Sequence, residues 1–357
     1  MALKPPTKPV YLKASGIATS VGLTTEQTAA AVRAGISAYQ ESSVYNKRFN
    51  PMTMALLPED VISPLEGAIS DETPGLTSRQ IRMIRLAHLA IDDLTSKVDS
   101  LEDIPLVLAG PETLPETPNA CHPDMIKHIE LQTGVKFHQE HSTLLPKGRA
   151  AGARALYYAM AYVESGMGPY AIVGGVDTWL DLYLLGALDM QNRILADGVM
   201  DGFAPGEGAG FLLISSVPET FLESGKQILI YPPGLAEEPG HRFSEKPYQG
   251  DGLAQTFSLA LQNAEIPPVK TIMASLNGEN FGAKELGVAG TRNNDRLDPQ
   301  YKIEHPADCF GDIGAAFFPV SIGLSAMGFV KDYMKGPVLS YASSEAQHRG
   351  ATCIAMN

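Results

Sequence analysis

The sequence has few cysteines and no long apolar run, and each absence excludes a class of protein. Its 357 residues include three cysteines, Cys121, Cys309 and Cys353, without the Cys-x-x-Cys spacing of zinc or redox motifs. We therefore expect reduced thiols and no disulfide framework. No apolar stretch approaches the roughly 20 residues that cross a bilayer, and no apolar segment of signal-peptide type follows the amino terminus. The sequence predicts a cytoplasmic protein without membrane insertion.

Basic residues are also fewer than acidic residues. The chain has 27 Lys and Arg against 40 Asp and Glu, a formal net charge of −13. Nucleic acids and anionic lipids are bound by clustered positive charge, so we expect neither as a partner. Apolar residues are plentiful at 44%, and 34 glycines accompany them. This length and composition suit one large domain or two fused halves with a substantial buried core.

Strand and helix patterns alternate twice along the chain. The first series begins with a β run at 9–22 and a helix that Thr24 or Thr25 can cap, and the second begins near 226. Residues 43–75 have little periodicity and predict a surface excursion, while 232–247 is the most linker-like stretch. Such an order predicts stacked α/β layers with largely parallel sheets.

One amphipathic helix is predicted over residues 77–94. Its apolar stripe comprises Ile81, Ile84, His88, Ile91 and Leu94, and arginines lie on the opposite face. A single histidine on such a stripe is typical of core packing, so we interpret His88 as structural.

The segment "AIVGGVDTWLDLYLLGALDMQNRILADGVMDGFAPGEGAG" has a glycine-paired strand, a loop and a GEGAG turn into another strand. In this order it resembles the β-ketoacyl synthase family of the thiolase fold, and the resemblance spans nearly the whole chain. It implies a five-layer αβαβα sandwich of two pseudo-symmetric halves, residues 1–216 and 217–357. It also implies a homodimer or heterodimer in which the strand at 170–175 pairs across a two-fold interface.

The family's catalytic residues have no counterparts under this resemblance. The cysteine that opens a helix falls on Arg149 in "GRAAG", and the two histidines fall on Asn277 in "SLNGEN" and Asp308 in "ADCFG". The glycine-rich loop near the carboxy terminus is changed to "YASSEAQHRGA". A guanidinium stays protonated at neutral pH and cannot accept an acyl group. We expect Arg149 and Asp308 to form a buried salt bridge in a degenerate active site, since an unpaired buried charge is costly.

Three other features were weighed as reactive or metal sites. Cys121 precedes His122, but adjacent side chains point in different directions, and we interpret it as a surface-loop thiol. Cys309 adjoins Asp308 and is interpreted as a small buried residue. His305, Asp308 and Cys309 offer metal ligands without a partner cluster elsewhere, so neither metal nor cofactor is expected.

The leading hypothesis is a non-catalytic scaffold that binds a protein partner. The resemblance implies two forms: a chain-length-factor-like subunit of a ketosynthase, or an adaptor or chaperone for effector loading in type VI secretion. The rival hypothesis is an enzyme, a decarboxylase or hydrolase, with Asp308 as base and Arg149 as anion binder. A filled pocket favours the scaffold and a deep open pocket favours the enzyme.

Overall fold

The computed structural model describes residues 4–73, 75–218 and 226–357. In the first part of the chain it contains the strands β1 (Val10–Thr19), β2 (Gln40–Tyr45), β3 (Pro51–Met54), β4 (Leu106–Gly110), β5 (Thr143–Pro146), β6 (Tyr170–Thr178) and β7 (Glu207–Ser215). Its helices there are α1 (Thr25–Arg33), α2 (Gly67–Glu72), α3 (Ser78–Thr95), α4 (Met125–Thr133), α5 (Ala151–Glu164) and α6 (Leu182–Met190).

The second part of the chain follows the same pattern. Its strands are β8 (Ile228–Ile230), β9 (Gly234–Glu237), β10 (Val269–Ala274), β11 (Leu297–Glu304), β12 (Val338–Ser343) and β13 (His348–Met356). Its helices are α7 (Asp251–Gln262), α8 (Asn280–Arg292), α9 (Ala307–Phe310) and α10 (Phe317–Val330).

The two parts share one strand topology. The first runs β5-β4-β6-β7-β1 and the second β11-β10-β12-β13-β8, and the two are joined where β1 pairs with β8. In the first part, β5, β4 and β6 are parallel to one another, and β7 is antiparallel to its neighbours β6 and β1. In the second part, β11, β10 and β12 are parallel to one another, and β13 is antiparallel to its neighbours β12 and β8. The division after Ser216 that the resemblance implies falls between β7 and β8 and stays a prediction; residues 219–225 of the connection lie outside the described residues.

Three hydrophobic cores separate five layers. The strands of the first part of the chain are called the first sheet and those of the second part the second sheet. One core lies where helices α3 and α4 pack on the first sheet, and another lies where α7 and α8 pack on the second. The third surrounds α5 and α10, which lie between the two sheets. Helix α10 buries 12 of its 14 residues, as its position between two sheets requires. The predicted five-layer α/β sandwich is confirmed.

The central helices cross at close range. A Cβ at Gly152 of α5 would lie 2.5 Å from the Cβ of Phe318 on α10, so a larger residue would force the helices apart. This contact brings the amino-terminal ends of α5 and α10 together. Each helix follows the carboxyl end of an edge strand, β5 or β11, and the site described below lies there.

Three sequence expectations are wrong in detail. Strand β6 lies inside its sheet between β4 and β7, so the segment at 170–175 has no free edge with which to pair across a dimer. The supposed linker at 232–247 contains β9, which pairs with β13. Two arginines of α3 are buried: Arg79 pairs with Asp177 and Arg82 with Glu207, where solvent exposure was expected.

Within the described ranges, no helix combines the length and the apolar character needed to cross a membrane.

Candidate functional site

The site is assembled from four turns at one end of the sheets. Arg149 lies in the turn between β5 and α5, and Asp312 in the turn before α10. Asn277 and Glu279 follow β10, while Glu345 lies in the loop at 344–347 between β12 and β13. Because strand ends and helix starts meet here, side chains far apart in sequence converge.

Arg149 is held on both sides by carboxylates. Its Nε lies 3.0 and 3.1 Å from the two oxygens of Asp312, and its Nη2 donates a further bond to that carboxylate. Its Nη1 donates to Glu345 Oε1 at 2.9 Å, and its guanidinium carbon lies 5.3 Å from the ring centre of Trp179. With 5% of Arg149 exposed, every charged donor atom is taken up inside the protein.

Two further arginines extend this cluster. Arg193 binds Glu279 in a bidentate manner, at 2.7 and 2.8 Å, and Glu345 at 2.9 Å. Arg242 reaches the same two carboxylates at 3.2 and 2.9 Å. The ion-pair cluster therefore comprises three arginines and three acids: Arg149, Arg193, Arg242, Glu279, Asp312 and Glu345.

Asn277 links the acids of the cluster. Its Nδ2 donates to Asp312 Oδ2 at 2.8 Å and to Glu279 Oε2 at 3.1 Å, and its Oδ1 accepts the backbone N–H of Glu279 at 3.1 Å. The amide thus separates two carboxylates that would otherwise repel each other. The sequence expectation that Arg149 and Asn277 share a site is consistent with this geometry, with Asp312 between them.

Electrostatics keep the cluster ionised. Burial works against the charge of Arg149, but Asp312 and Glu345 outweigh it and raise the arginine pKa well above its ordinary value. Burial likewise opposes the charge of Glu345, and Arg193, Arg149 and Arg242 outweigh it and hold that carboxyl's pKa far below its ordinary range. Three positive and three negative charges balance, as buried charges must.

Glu112 lies against this cluster without an arginine partner. Its two oxygens accept the backbone N–H groups of Glu345 and Ala346 at 2.7 and 3.0 Å and so hold the 344–347 loop. Burial, together with the negative charge of Glu345, raises the pKa of Glu112 to about 7. The group therefore changes charge near neutral pH beside a balanced set of ion pairs.

Little free volume is left around Arg149. The cavity on the side of Asn277 and Tyr341 measures about 30 Å³, and the one on the side of Glu112 and Trp179 about 10 Å³. These volumes suit one or two water molecules and exclude an acyl chain. No histidine is among the described residues that line either cavity.

The prediction that Arg149 pairs with Asp308 is wrong. Asp308 lies on the short helix α9, its side chain is 70% exposed, and it pairs with His305 at 2.7 Å. Asp312, four residues later, makes the predicted salt bridge. The sequence carried a signal for this: Asp312 stands between glycines in Gly-Asp-Ile-Gly, a turn pattern just before a predicted helix, whereas Asp308 follows Ala307.

Three further members of the cluster were not predicted from the sequence: Arg193, Glu279 and Glu345. Glu279 lies two residues after Asn277, and Glu345 lies in the altered loop near the carboxy terminus, so both stood inside motifs already singled out. Arg193 lies in the loop of the segment quoted at 171–210, where its residue type did not mark it. Only the packing of the turn after α6 brings it to Glu279.

The cysteines lie apart from the cluster. Burial raises the pKa of Cys121 to about 12, and its sulfur contacts the carbonyl of Pro111 at 3.7 Å, so no thiolate forms there. Cys309 is 6% exposed, and burial and then Asp308 raise its pKa. Among the described residues, no three Asp, Glu, His or Cys side chains are placed to hold a metal ion.

Comparisons with known proteins establish the fold. No protein-family model and no curated protein matches the chain. Among solved structures it is similar to the ketosynthase in complex with its chain length factor from Xenorhabdus doucetiae, with a TM-score of 0.78, 14% identity and 98% of both chains covered.

Two further structures give the same result. The ishigamide ketosynthase/chain length factor has a TM-score of 0.72 and 18% identity over 98% of this chain and 99% of that one. A β-ketoacyl synthase from Burkholderia phymatum has a TM-score of 0.71 and 14% identity over 97% and 98%. At these identities the likeness shows a ketosynthase fold.

Proposed function

We propose that this chain is a non-catalytic subunit of the ketosynthase fold that binds a ketosynthase-like partner, as a chain length factor does. The observation that carries the proposal is the ion-pair cluster around Arg149. A guanidinium stands where the resemblance places the nucleophile, and about 30 and 10 Å³ of free volume remain beside it.

The chemistry of the cluster supports this proposal. Condensation of acyl thioesters needs a nucleophile and groups that transfer protons or stabilise an oxyanion. Arg149 is protonated, Asp312 is engaged by it and by Asn277, and Glu345 is engaged by arginines. None of these groups is free to attack a thioester, and the two cavities that Arg149 lines among the described residues are too small to admit one.

The enzyme hypothesis loses its base. Asp308 was to act with Arg149, yet it lies on the surface with His305 and lines a different cavity. A filled site at Arg149 favours the scaffold over the altered enzyme. The secretion-adaptor hypothesis stays a prediction, which the experiment below separates from a ketosynthase partnership.

The edge of β5 is the proposed docking surface. Among the described residues β5 pairs with β4 alone, and an open groove of about 920 Å³ lies beside it and α4. The corresponding edge strand β11, "LDPQYKIE", carries a proline and three charged residues, the features that block edge-to-edge pairing. Strand β5, "TLLP", also contains a proline, at its last position, but has no charged side chain. Of the two edges, β5 is the one suited to pairing with another chain.

Affinity purification from the native host, followed by mass spectrometry, tests this function. We expect a ketosynthase that retains its cysteine to co-purify in stoichiometric amount with the wild-type chain. Thr143→Lys places charge on the exposed edge of β5 and should abolish this capture, while the matched control Gln300→Lys on β11 should retain it.

Two outcomes would contradict the proposal. One is recovery of secretion effectors without a ketosynthase, which would support the adaptor instead. The other is recovery of the same ketosynthase with the Thr143→Lys variant at wild-type yield, provided that both variants melt at the wild-type temperature.

A further inference from the structure

A second cavity, of about 540 Å³, is lined by none of the residues of the ion-pair cluster. It lies between α1, the strands β10 and β11, and the segment that follows α10. Small-molecule sites in proteins commonly occupy 300–1,000 Å³. This cavity therefore has the size that the space around Arg149 lacks.

The floor of the cavity is apolar and firmly packed. Met273 and Leu324, which are 1% and 2% exposed, belong to the central core, and the half-buried Val32 and Met334 pack against that core. These side chains are aliphatic or thioether groups with no polar atom to satisfy. A ligand that rests on them gains from burying an aliphatic body.

Three cations stand around this floor: Arg33, Lys270 and Lys302. Among the described residues none of the three has an ion-pair partner. The guanidinium of Arg33 lies 4.6 Å from the ring centre of Tyr333, which fixes its direction. A Cβ at Gly336 would lie 2.8 Å from Lys270 Cδ, so the lysine stem follows that bare backbone.

Acidic groups at the cavity are largely engaged. Asp308 pairs with His305 at 2.7 Å, and Asp298 accepts the backbone N–H of Gln300 at 2.9 Å. The third carboxylate of the lining is Glu304, and the fourth cation, Lys335, pairs with Asp332. Among the described residues that line the cavity, three cations have no ion pair, Arg33, Lys270 and Lys302, against two carboxylates, Asp298 and Glu304.

We propose that this cavity binds an amphipathic anion, a carboxylate carried on an aliphatic chain. The chain would lie on Met273, Leu324 and Met334, and the carboxylate would meet Arg33, Lys270 and Lys302. Both parts are required, because a charge-assisted hydrogen bond and a buried aliphatic surface each contribute to affinity. The site is independent of the proposed docking function.

Isothermal calorimetry with four probes tests this site: decanoate below its micelle concentration, butyrate, decanol and inorganic phosphate. We expect saturable binding of one decanoate per chain and at least roughly tenfold weaker binding of the other three, since each lacks one half of the recognition. Absence of saturable decanoate binding, or equal binding of decanol, would overturn the proposal.

Charge-reversal variants locate the bound anion. Lys270→Glu combined with Lys302→Glu should weaken decanoate binding at least tenfold, whereas Lys246→Glu, an exposed lysine outside the cavity, should leave it unchanged. Circular dichroism and the melting temperature confirm that each variant is folded. Unchanged decanoate binding in the folded double variant would place the ligand elsewhere and refute this site.

Discussion

At the residue scale, Arg149 and its acids can be kept in the interior only as a set. Taking a guanidinium from water costs several kcal/mol, and Asp312 and Glu345 offset that cost through charge and hydrogen bonds. Removing one member leaves the others buried without compensation. Removing one charged residue should therefore destabilise the fold more than replacing the whole cluster with apolar residues would.

Arg149→Ala should lower the free energy of unfolding by roughly 3 to 5 kcal/mol, because Asp312 then lies buried without its cation. Asp312→Ala should cost a similar amount, and the double variant less than the sum, since contacting residues are coupled. Urea denaturation measures all three. Asp308→Ala is the control: its exposed ion pair should be worth under about 0.5 kcal/mol, and a larger loss there would return Asp308 to the site.

Glu112 gives the fold a pH dependence of predictable sign. Folding raises its pKa from the ordinary 4.5 to about 7, so the folded protein holds this proton more tightly than the unfolded chain. The stabilisation is fully present below pH 4.5 and is lost as the pH rises through 7, by at most about 3 kcal/mol.

In Glu112→Gln this contribution should disappear. Urea denaturation between pH 5 and 8 should show a wild-type stability that falls relative to the variant as the pH increases. A constant difference between the two proteins across this range would contradict the assignment, because it would mean that Glu112 does not titrate there.

Sequence reasoning at this scale used the motifs that flank each candidate residue, and the correspondence of Arg149 and Asn277 to catalytic positions stays a prediction. Arg149 and Asn277 each stand beside the glycines or strand that define their turns. It failed at Asp308. A carboxylate partner for Arg149 was correctly expected, but it was assigned to Asp308 and the structure has Asp312, four residues later. Contacts such as Arg193 to Glu279 depend on how distant turns pack, which no local pattern specifies.

At the element scale, the turn between β5 and α5 sets the position of the cluster. Gly148 has φ of +70°, a left-handed conformation, and a Cβ there would lie 2.4 Å from Glu112 Oε1 and 2.9 Å from its Cδ. Glu112 cannot easily move aside, since it holds the backbone of the 344–347 loop. A side chain at position 148 would therefore displace Glu112 and, with it, the 344–347 loop.

Gly148→Ala should therefore destabilise the protein more than Gly134→Ala does. Gly134 ends α4 with φ of +75° and has open space where a Cβ would lie, so alanine there costs only the left-handed backbone, about 1 to 2 kcal/mol. Thermal and urea denaturation of both variants provide the comparison. An equal decrease in the free energy of unfolding for the two variants would contradict this prediction, because it would show that Glu112 and the 344–347 loop move aside with no loss of stability.

Elements with strong local signals were predictable, and those that depend on tertiary contacts were not. Helix α3 has an apolar stripe and a capping box between Thr77 and Gln80, and it forms as expected. The β2–β3 hairpin lies in the stretch expected to be an irregular excursion. It is anchored by distant backbone bonds, from Thr53 to Leu195 and from Ala55 to Pro205, which sequence periodicity cannot reveal.

At the scale of the whole molecule, the repeated topology explains both the closed site and the open edges. The starts of α5 and α10 meet between the two sheets, so a charge at one requires an opposite charge at the other, and Arg149 and Asp312 supply them. The outer edges, β5 and β11, lie at opposite ends of the strand order and differ in charge. The space around Arg149 is thus nearly filled, while the edge at β5 carries no charged side chain.

The most direct test of this account is intact-mass analysis after incubation with a hexanoyl thioester of pantetheine, followed by peptide mapping. Because Arg149 stands where the resemblance places the nucleophile and the cavities beside it hold about 30 and 10 Å³, we predict no stable acyl adduct on the folded protein. A stoichiometric adduct mapped to the turn at 148–151, or to Cys309, would contradict the account and show that an acyl-accepting site is open.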